Sequence, residues 1–421
     1  MDYSIQWEKH FGEASVNEAA YSISEMNNDN FIVAGYADIK SENIPSHTSR
    51  IELMIVNSSG HSQRITTLSK SHGDFSYTAI QTSDNGLALL GSFSSLFFPQ
   101  KVNLIKINQE KEIEWNKTLF NCGRGISLIE TDDHGFVFAC VGKNTASTDL
   151  YETKLVKVNS TGNVQWERYF ADFAGIWDWK SYSVIQTAEG DYVLLTKEST
   201  LPLVNDDLFS QNRDLRLIRL SNSGEVLWDL NVGTSDNEFA REVIQTADGN
   251  FVVLGEILYK NNTSSIYLAK ISSQGETIIW EKIFPGYNPY SLIQGGDHRL
   301  TLLATETSGK PELDSVLIIT DIMGNSLEMF SFGARNPDES SQLNFNRAYD
   351  FIQKDNYFIV VGGTSSYGPS ALVDLWILRI GTNNILPSST QNITSDFIQL
   401  ELWPFFIMIT IICFRRHRTR Y

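Results

Sequence analysis

The chain repeats itself, and a repeat restricts the available folds more than any other sequence feature. One unit runs from Trp166-Glu-Arg-Tyr-Phe, through Tyr182-Ser-Val-Ile-Gln-Thr, to Leu215-Arg-Leu-Ile-Arg-Leu and Trp228, where the next unit begins. The anchor aromatic recurs at Trp7, Trp115, Trp166, Trp228, Trp280 and Phe330, about 54 residues apart on average. A degenerate copy sits near Ile65. The middle motif starts at Tyr21, Tyr77, Ile126, Tyr182, Arg241, Tyr290 and Tyr349, an independent count of seven.

Each unit holds four strand-like segments. Val243-Ile-Gln-Thr and Phe251-Val-Val-Leu-Gly flank Ala247-Asp-Gly-Asn, which reads as a hairpin whose Asp-Gly supplies positive φ angles. Ile266–Ile271 and Thr277–Phe284 form a second hairpin. The segments are short and rich in Val, Ile, Leu, Tyr and Trp, with no helical periodicity beyond a turn or two. Four antiparallel strands in seven copies predict an all-β fold, a seven-bladed β-propeller over residues 1–382. Residues 4–11 match a fourth strand with nothing before it, and the last unit stops after three strands. The N-terminal strand is therefore expected to complete the last blade and close the ring.

The pattern Trp-x-Lys-x-Phe-Gly, Tyr-Ser-x-Ile-Gln-Thr-x-Asp-Gly, Leu-x-Lys-x-x-x-x-Gly-x-x-x-Trp resembles a family of β-propeller repeat proteins of archaeal and bacterial surface proteomes. The resemblance covers roughly residues 1–382. It implies cell-surface or secreted display and no defined reaction. Quinoprotein dehydrogenases also carry a Trp in each blade, but their Gly-rich signature around it is missing here, so no quinone or other cofactor is expected.

Beyond the repeat, residues 383–399 read as a polar linker. Residues 400–414 are apolar enough to suggest a C-terminal transmembrane helix or sorting segment, although the uninterrupted run from Leu402 to Phe414 is short for a span. The Arg-rich stretch 415–421 follows, a basic cytosolic tail that puts the propeller outside. Export needs an N-terminal signal, and the chain opens directly on a strand. The expectation is a start upstream of Met1. The alternative is a tail-anchored scaffold with its propeller in the cytosol.

Charge narrows the partners. The chain carries 33 Lys and Arg against 50 Asp and Glu, a formal net charge of -17. That argues against a nucleic-acid partner, because phosphate affinity comes mainly from Lys and Arg. The three Cys do not fix the compartment. Cys122 and Cys140 flank one hairpin without standing directly opposite, so no disulfide is expected.

Strand parity sorts the connections onto two faces. Loops one-two and three-four are short and uniform. Those between strands two and three, and between units, vary widely, and variable loops on a rigid scaffold carry binding. There, Trp177, Asp178 and Trp179 offer a stacking platform for a sugar or an anchor for a protein. Their alternative role is to cover a blade edge. Asn205, Asp206 and Asp207 with Asp214 lack the spacing of a calcium loop and read as solvated. Gln81, Glu130, Gln186, Gln245, Gln294 and Gln353 stand at equivalent places near the channel, either as a polar ligand ring or as links between blades. Arg241 replaces the usual Tyr and is an anion contact at the rim.

Catalytic signatures are missing. The seven His are scattered without metal-ligand spacing, and neither a Gly-x-Ser-x-Gly elbow nor a phosphate loop occurs. The leading expectation is a monomeric, membrane-anchored, non-enzymatic surface propeller that binds protein or glycan at the variable-loop face, without cofactor or metal. The alternative is a propeller glycosidase or lyase at the channel mouth. Three or more acids clustered there with an Arg or His would favour the enzyme. A mouth of apolar and aromatic residues would favour binding.

Overall fold

A computed structural model describes residues 3–12, 16–39, 48–68, 74–93, 101–144, 150–170, 182–199, 213–261, 263–307, 314–333, 346–365 and 373–382. Tyr3–Gly381 is one compact unit. Residues 383–421 lie outside the described ones, and the expected linker, membrane segment and basic tail lie there with them. Among the described residues no helix is long and apolar enough to cross a membrane.

The fold is all-β and built from four-stranded antiparallel sheets. Strand β1 (Tyr3–Phe11) opens the chain. The first set is β2 (Val16–Glu25), β3 (Asn30–Ile39), β4 (Thr48–Asn57) and β5 (Ser62–Leu68). The second is β6 (Asp74–Gln81), β7 (Leu87–Phe93), β8 (Lys101–Ile107) and β9 (Ile113–Phe120). The third is β10 (Gly123–Glu130), β11 (Phe136–Asn144), β12 (Leu150–Val158) and β13 (Val164–Phe170). The fourth is β14 (Ser183–Gln186), β15 (Tyr192–Ser199), β16 (Arg213–Leu220) and β17 (Val226–Val232). The fifth is β18 (Asn237–Gln245), β19 (Phe251–Leu258), β20 (Ser264–Ile271) and β21 (Ile278–Pro285). The sixth is β22 (Tyr287–Gln294), β23 (Leu300–Glu306), β24 (Ser315–Thr320) and β25 (Ser326–Phe332). The last is β26 (Asn346–Lys354), β27 (Tyr357–Thr364) and β28 (Asp374–Thr382), and β1 joins it beside β28. The fourth and fifth sets merge into one sheet through a single parallel pair, Arg213 and Asn237.

Burial follows strand position. Inner strands are covered on both faces, so β20 is buried at all eight residues. Outer strands alternate, as in β25, and carry the anchor aromatics. An apolar cluster fills the seam between each pair of consecutive sets. The last and first sets are no exception: Ile359, Val361 and Ile377 pack against Ala20, Phe31 and Val33. Each fully buried Val, Ile or Phe contributes roughly 1.5–3 kcal/mol, so these seams carry much of the stability.

The repeated Trp and Gly have one physical reason. The Trp166 ring lies under Gly224 of the next set, where a Cβ would stand 2.9 Å from it at φ 80°, and its indole N–H donates to Asn222 O. Trp7 and Gly60 repeat this arrangement, so the opening strand behaves as any other fourth strand.

Two expectations need correction. Positive φ in the one-two hairpin falls on Gly249 alone, because a type I turn followed by one left-handed residue closes the loop. Asp248 instead accepts from Thr246 Oγ1 (2.6 Å) and Lys270 Nζ (2.7 Å). Cys122 and Cys140 do form a disulfide, with Cα atoms 5.7 Å apart. Cys140 pairs with Gly125, so the two are not opposite. Register shifts at Gly123–Gly125 and Gly125–Ser127 bend β10 and bring the diagonal pair into reach.

Candidate functional site

The first strand of each set faces a central cavity of about 460 Å³. One local device shapes its wall. The β2–β3 register slips between Ala20 and Ser22, leaving Tyr21 as the extra residue. The same slip isolates Arg241, Tyr290 and Tyr349. A bulge re-aims its side chain, and here the bulged residues Tyr21, Arg241, Tyr290 and Tyr349, with Tyr182, line the cavity. One turn along the strands, Ile80, Ile129, Ile185, Ile244, Ile293 and Ile352 make an apolar layer.

The tyrosines form a continuous wall on one side. Ring centroids are 4.9 Å apart for Tyr21 and Tyr349, and 5.5 Å for Tyr290 and Tyr349. Tyr36 stacks on Tyr21 at 5.5 Å. Burial, then the neighbouring Tyr290, raises the Tyr349 phenol above its ordinary value, against a hydrogen bond from Arg347. The Tyr349 phenol is thus held neutral.

Arg241 lies in the cavity wall and not as an open anion contact. Its guanidinium pairs with Glu256, which is buried on β19 and also accepts from Ser264 Oγ (2.5 Å). Trp177, Asp178 and Trp179 lie outside the described residues, as do Asn205, Asp206 and Asp207.

The Gln and Glu ring links neighbouring sets. Gln186 Oε1 accepts from Asp132 N (3.0 Å), Gln245 Oε1 from Ala188 N (2.8 Å) and Gln294 Oε1 from Ala247 N (2.8 Å). Each clips its strand to the hairpin turn of the preceding set. Gln81 and Glu130 do the same at Asn27 N and Ser83 N. Gln353 takes the hydroxyl of Thr301, and Glu25 with Lys354 joins the first set to the last.

A second ring of clips lies deeper. Ser127 Oγ accepts from Val184 N, Ser183 Oγ from Val243 N and Glu242 Oε2 from Leu292 N. Asp350 accepts from Ile23 N (3.0 Å) and Ser291 Oγ (3.0 Å). Sequence reading overlooked Glu242 and Asp350. The available signal was an acid where other copies of the motif carry Ser or Thr.

A different acidic group sits at the seam of the fourth and fifth sets. Glu238 is fully buried, and a Cβ on Gly233 would lie 2.7 Å from its Oε2 and 3.3 Å from Asp214 Oδ1. Burial, with the charges of Asp214 and Asp236 and against hydrogen bonds from Thr234, pushes its carboxyl up to about 7. Arg213, also buried, lies over the Phe239 ring. The constellation expected of an enzyme concerns the channel, where Glu25, Glu242, Asp350 and Arg241 line the cavity, and this group lies at a seam instead. Glu238 is buried there and is not part of the cavity lining. Among the described residues no group of His, Cys, Asp and Glu is placed to hold a metal.

No family model matches the chain, and no curated protein matches it. Solved structures similar to it include the WD40 domain of Pan2 from Neurospora crassa, at 10% identity and TM-score 0.49, covering 87% of this chain and 90% of that one. Drosophila Plexin A, in a complex with Semaphorin 1b, is similar at 7% identity and TM-score 0.48, covering 90% and 87%. The WD40 domain of SCAP from fission yeast is similar at 9% identity and TM-score 0.44, covering 90% and 98%. At such scores the likeness transfers no property to this chain.

Proposed function

We propose that the chain is a seven-bladed β-propeller, closed by its N-terminal strand, that works as a binding module for protein or glycan. The lining of the cavity carries this reading. Tyrosines and isoleucines face the space, while Glu25, Glu242 and Asp350 are spent holding sets together. Aromatic and apolar surface with few convergent polar groups suits recognition better than bond cleavage. Ring closure is supported by β1 beside β28, by the Asp350 and Glu25 links, and by the apolar seam between the last and first sets. The variable connections are the binding face, residues 400–414 are its membrane anchor and 415–421 its cytosolic tail, with the propeller outside the cell.

An array of glycans and extracellular proteins tests the binding role, with the chain compared to a Trp177→Ala, Trp179→Ala variant. A ligand held by the parent and weakened about tenfold or more in the variant supports the variable-loop face. Equal binding by both moves the site elsewhere. New reducing ends or unsaturated sugars in the incubation would make it an enzyme. Protease treatment of intact cells tests the topology, because only an external propeller is digested.

A further inference from the structure

We propose that the central cavity is a binding site for a small organic ammonium ion. Two independent features converge on a cation. The first is charge. Among the described lining residues the acids are Glu25, Glu242 and Asp350 and the base is Arg241, and Glu25 is paired with Lys354. Arg241 already faces the buried Glu256, so the formal charge at the cavity stays negative. A ligand bearing an anion would meet those carboxylates, while a cation is drawn to them and to the acidic chain as a whole.

The second feature is the tyrosine wall. Tyr21, Tyr290 and Tyr349 are half-buried, each touching another ring and each contributing to the lining. Aromatic faces attract ammonium groups, and the attraction grows when water is displaced. Asp350 directly follows Tyr349 and supplies the charge beside the rings. The isoleucine layer gives the alkyl part of such a ligand an apolar seat. At about 460 Å³ the cavity falls in the size range of small-molecule sites. Arg347, which hydrogen-bonds Tyr349, is outside the lining and leaves the space itself to the ligand.

This site stands apart from the partner proposed for the variable-loop face, and its test uses no partner. Choline and its uncharged carbon isostere, 3,3-dimethyl-1-butanol, are titrated calorimetrically into the full chain at constant ionic strength in potassium chloride. Choline is expected to bind and the isostere to bind at least about tenfold more weakly. Tyr290→Phe keeps the ring and should hold affinity within about twofold. Tyr290→Leu should lose about three- to thirtyfold, and Asp350→Asn, which keeps an acceptor for Ile23 N, about tenfold. Circular dichroism establishes that each variant is folded, and Tyr290→Phe carries the test where Tyr290→Leu is not. No heat with choline, equal binding of the isostere, a large loss in Tyr290→Phe, or an unchanged Kd in a folded Tyr290→Leu overturns the proposal. So does binding of sulfate in place of choline.

Discussion

Glu18 and Glu238 occupy the same place in the repeat, each seven residues before the residue that clips its strand to the preceding set. Both are almost fully buried. Their surroundings differ. Glu18 faces Arg50 at 3.4 Å and Arg64 at 3.5 Å, and these arginines also meet Glu52. Glu238 meets Thr234, with Asp214 and Asp236 nearby. The position tolerates a carboxyl group in either case. What the neighbours decide is its charge: a network with two guanidinium groups in the first set, a carboxyl held towards neutrality at the seam of the fourth and fifth. A repeat therefore conserves geometry more strictly than electrostatics, since geometry is shared by all seams and each charge is settled locally.

Glu18→Gln should be the most damaging change. It leaves two arginines at a buried site with one carboxylate fewer, and breaking such a network costs about 3 kcal/mol. A denaturant midpoint at pH 7 measures it, and an unchanged midpoint would make the ion pairs ornamental. Glu238→Gln should act with the opposite sign. The folded carboxyl, near 7, lies above its unfolded value, so its contribution is complete below about pH 4.5 and is lost as pH rises through 7. At pH 8 the variant should gain about 2 kcal/mol over the parent, and its stability should be flatter between pH 5 and 8. A parent whose stability is level across that range would refute the neutral carboxyl.

Much of this was legible in the residues and some was not. The copies of Trp, Ile-Gln-Thr and Gly imply repeated sheets because one packing problem, a Trp under a turn glycine, is solved in the same way at five seams. The pairing of β1 with β28 followed from counting strands. Two readings failed for a shared reason. The Cys122–Cys140 bond depends on register shifts in β10, and the pairing of Arg241 with Glu256 depends on a bulge. A bulge changes which residues meet across strands, and strand alternation alone does not locate it. Of the two roles read for the Gln and Glu ring, the hydrogen bonds show the link between sets, and none of the six residues is in the cavity lining.

The exposed hairpin acids extend the comparison to a pair in water. Asp84, Asp133 and Asp248 each meet a buried lysine from the third strand, Lys106, Lys157 and Lys270, with a Thr hydroxyl and a backbone N–H adding to the clamp. Burial alone would raise these carboxyls, but the lysine, threonine and backbone hydrogen bonds outweigh it. Asp84 and Asp133 are brought down to about 2, and Asp248 lower still. Their stabilisation is present above the ordinary Asp value and is lost as pH falls from about 4 through 2, the reverse of Glu238. Each acid is near half exposed, so solvent screens the gain to about 1 kcal/mol or less. Asp248→Asn should therefore cost under about 1 kcal/mol at pH 7 and less at pH 2, with added salt narrowing the difference. A loss as large as that of Glu18→Gln would mean that the lysine end, buried against the sheet, sets the strength of the pair and that exposure of the acid is immaterial.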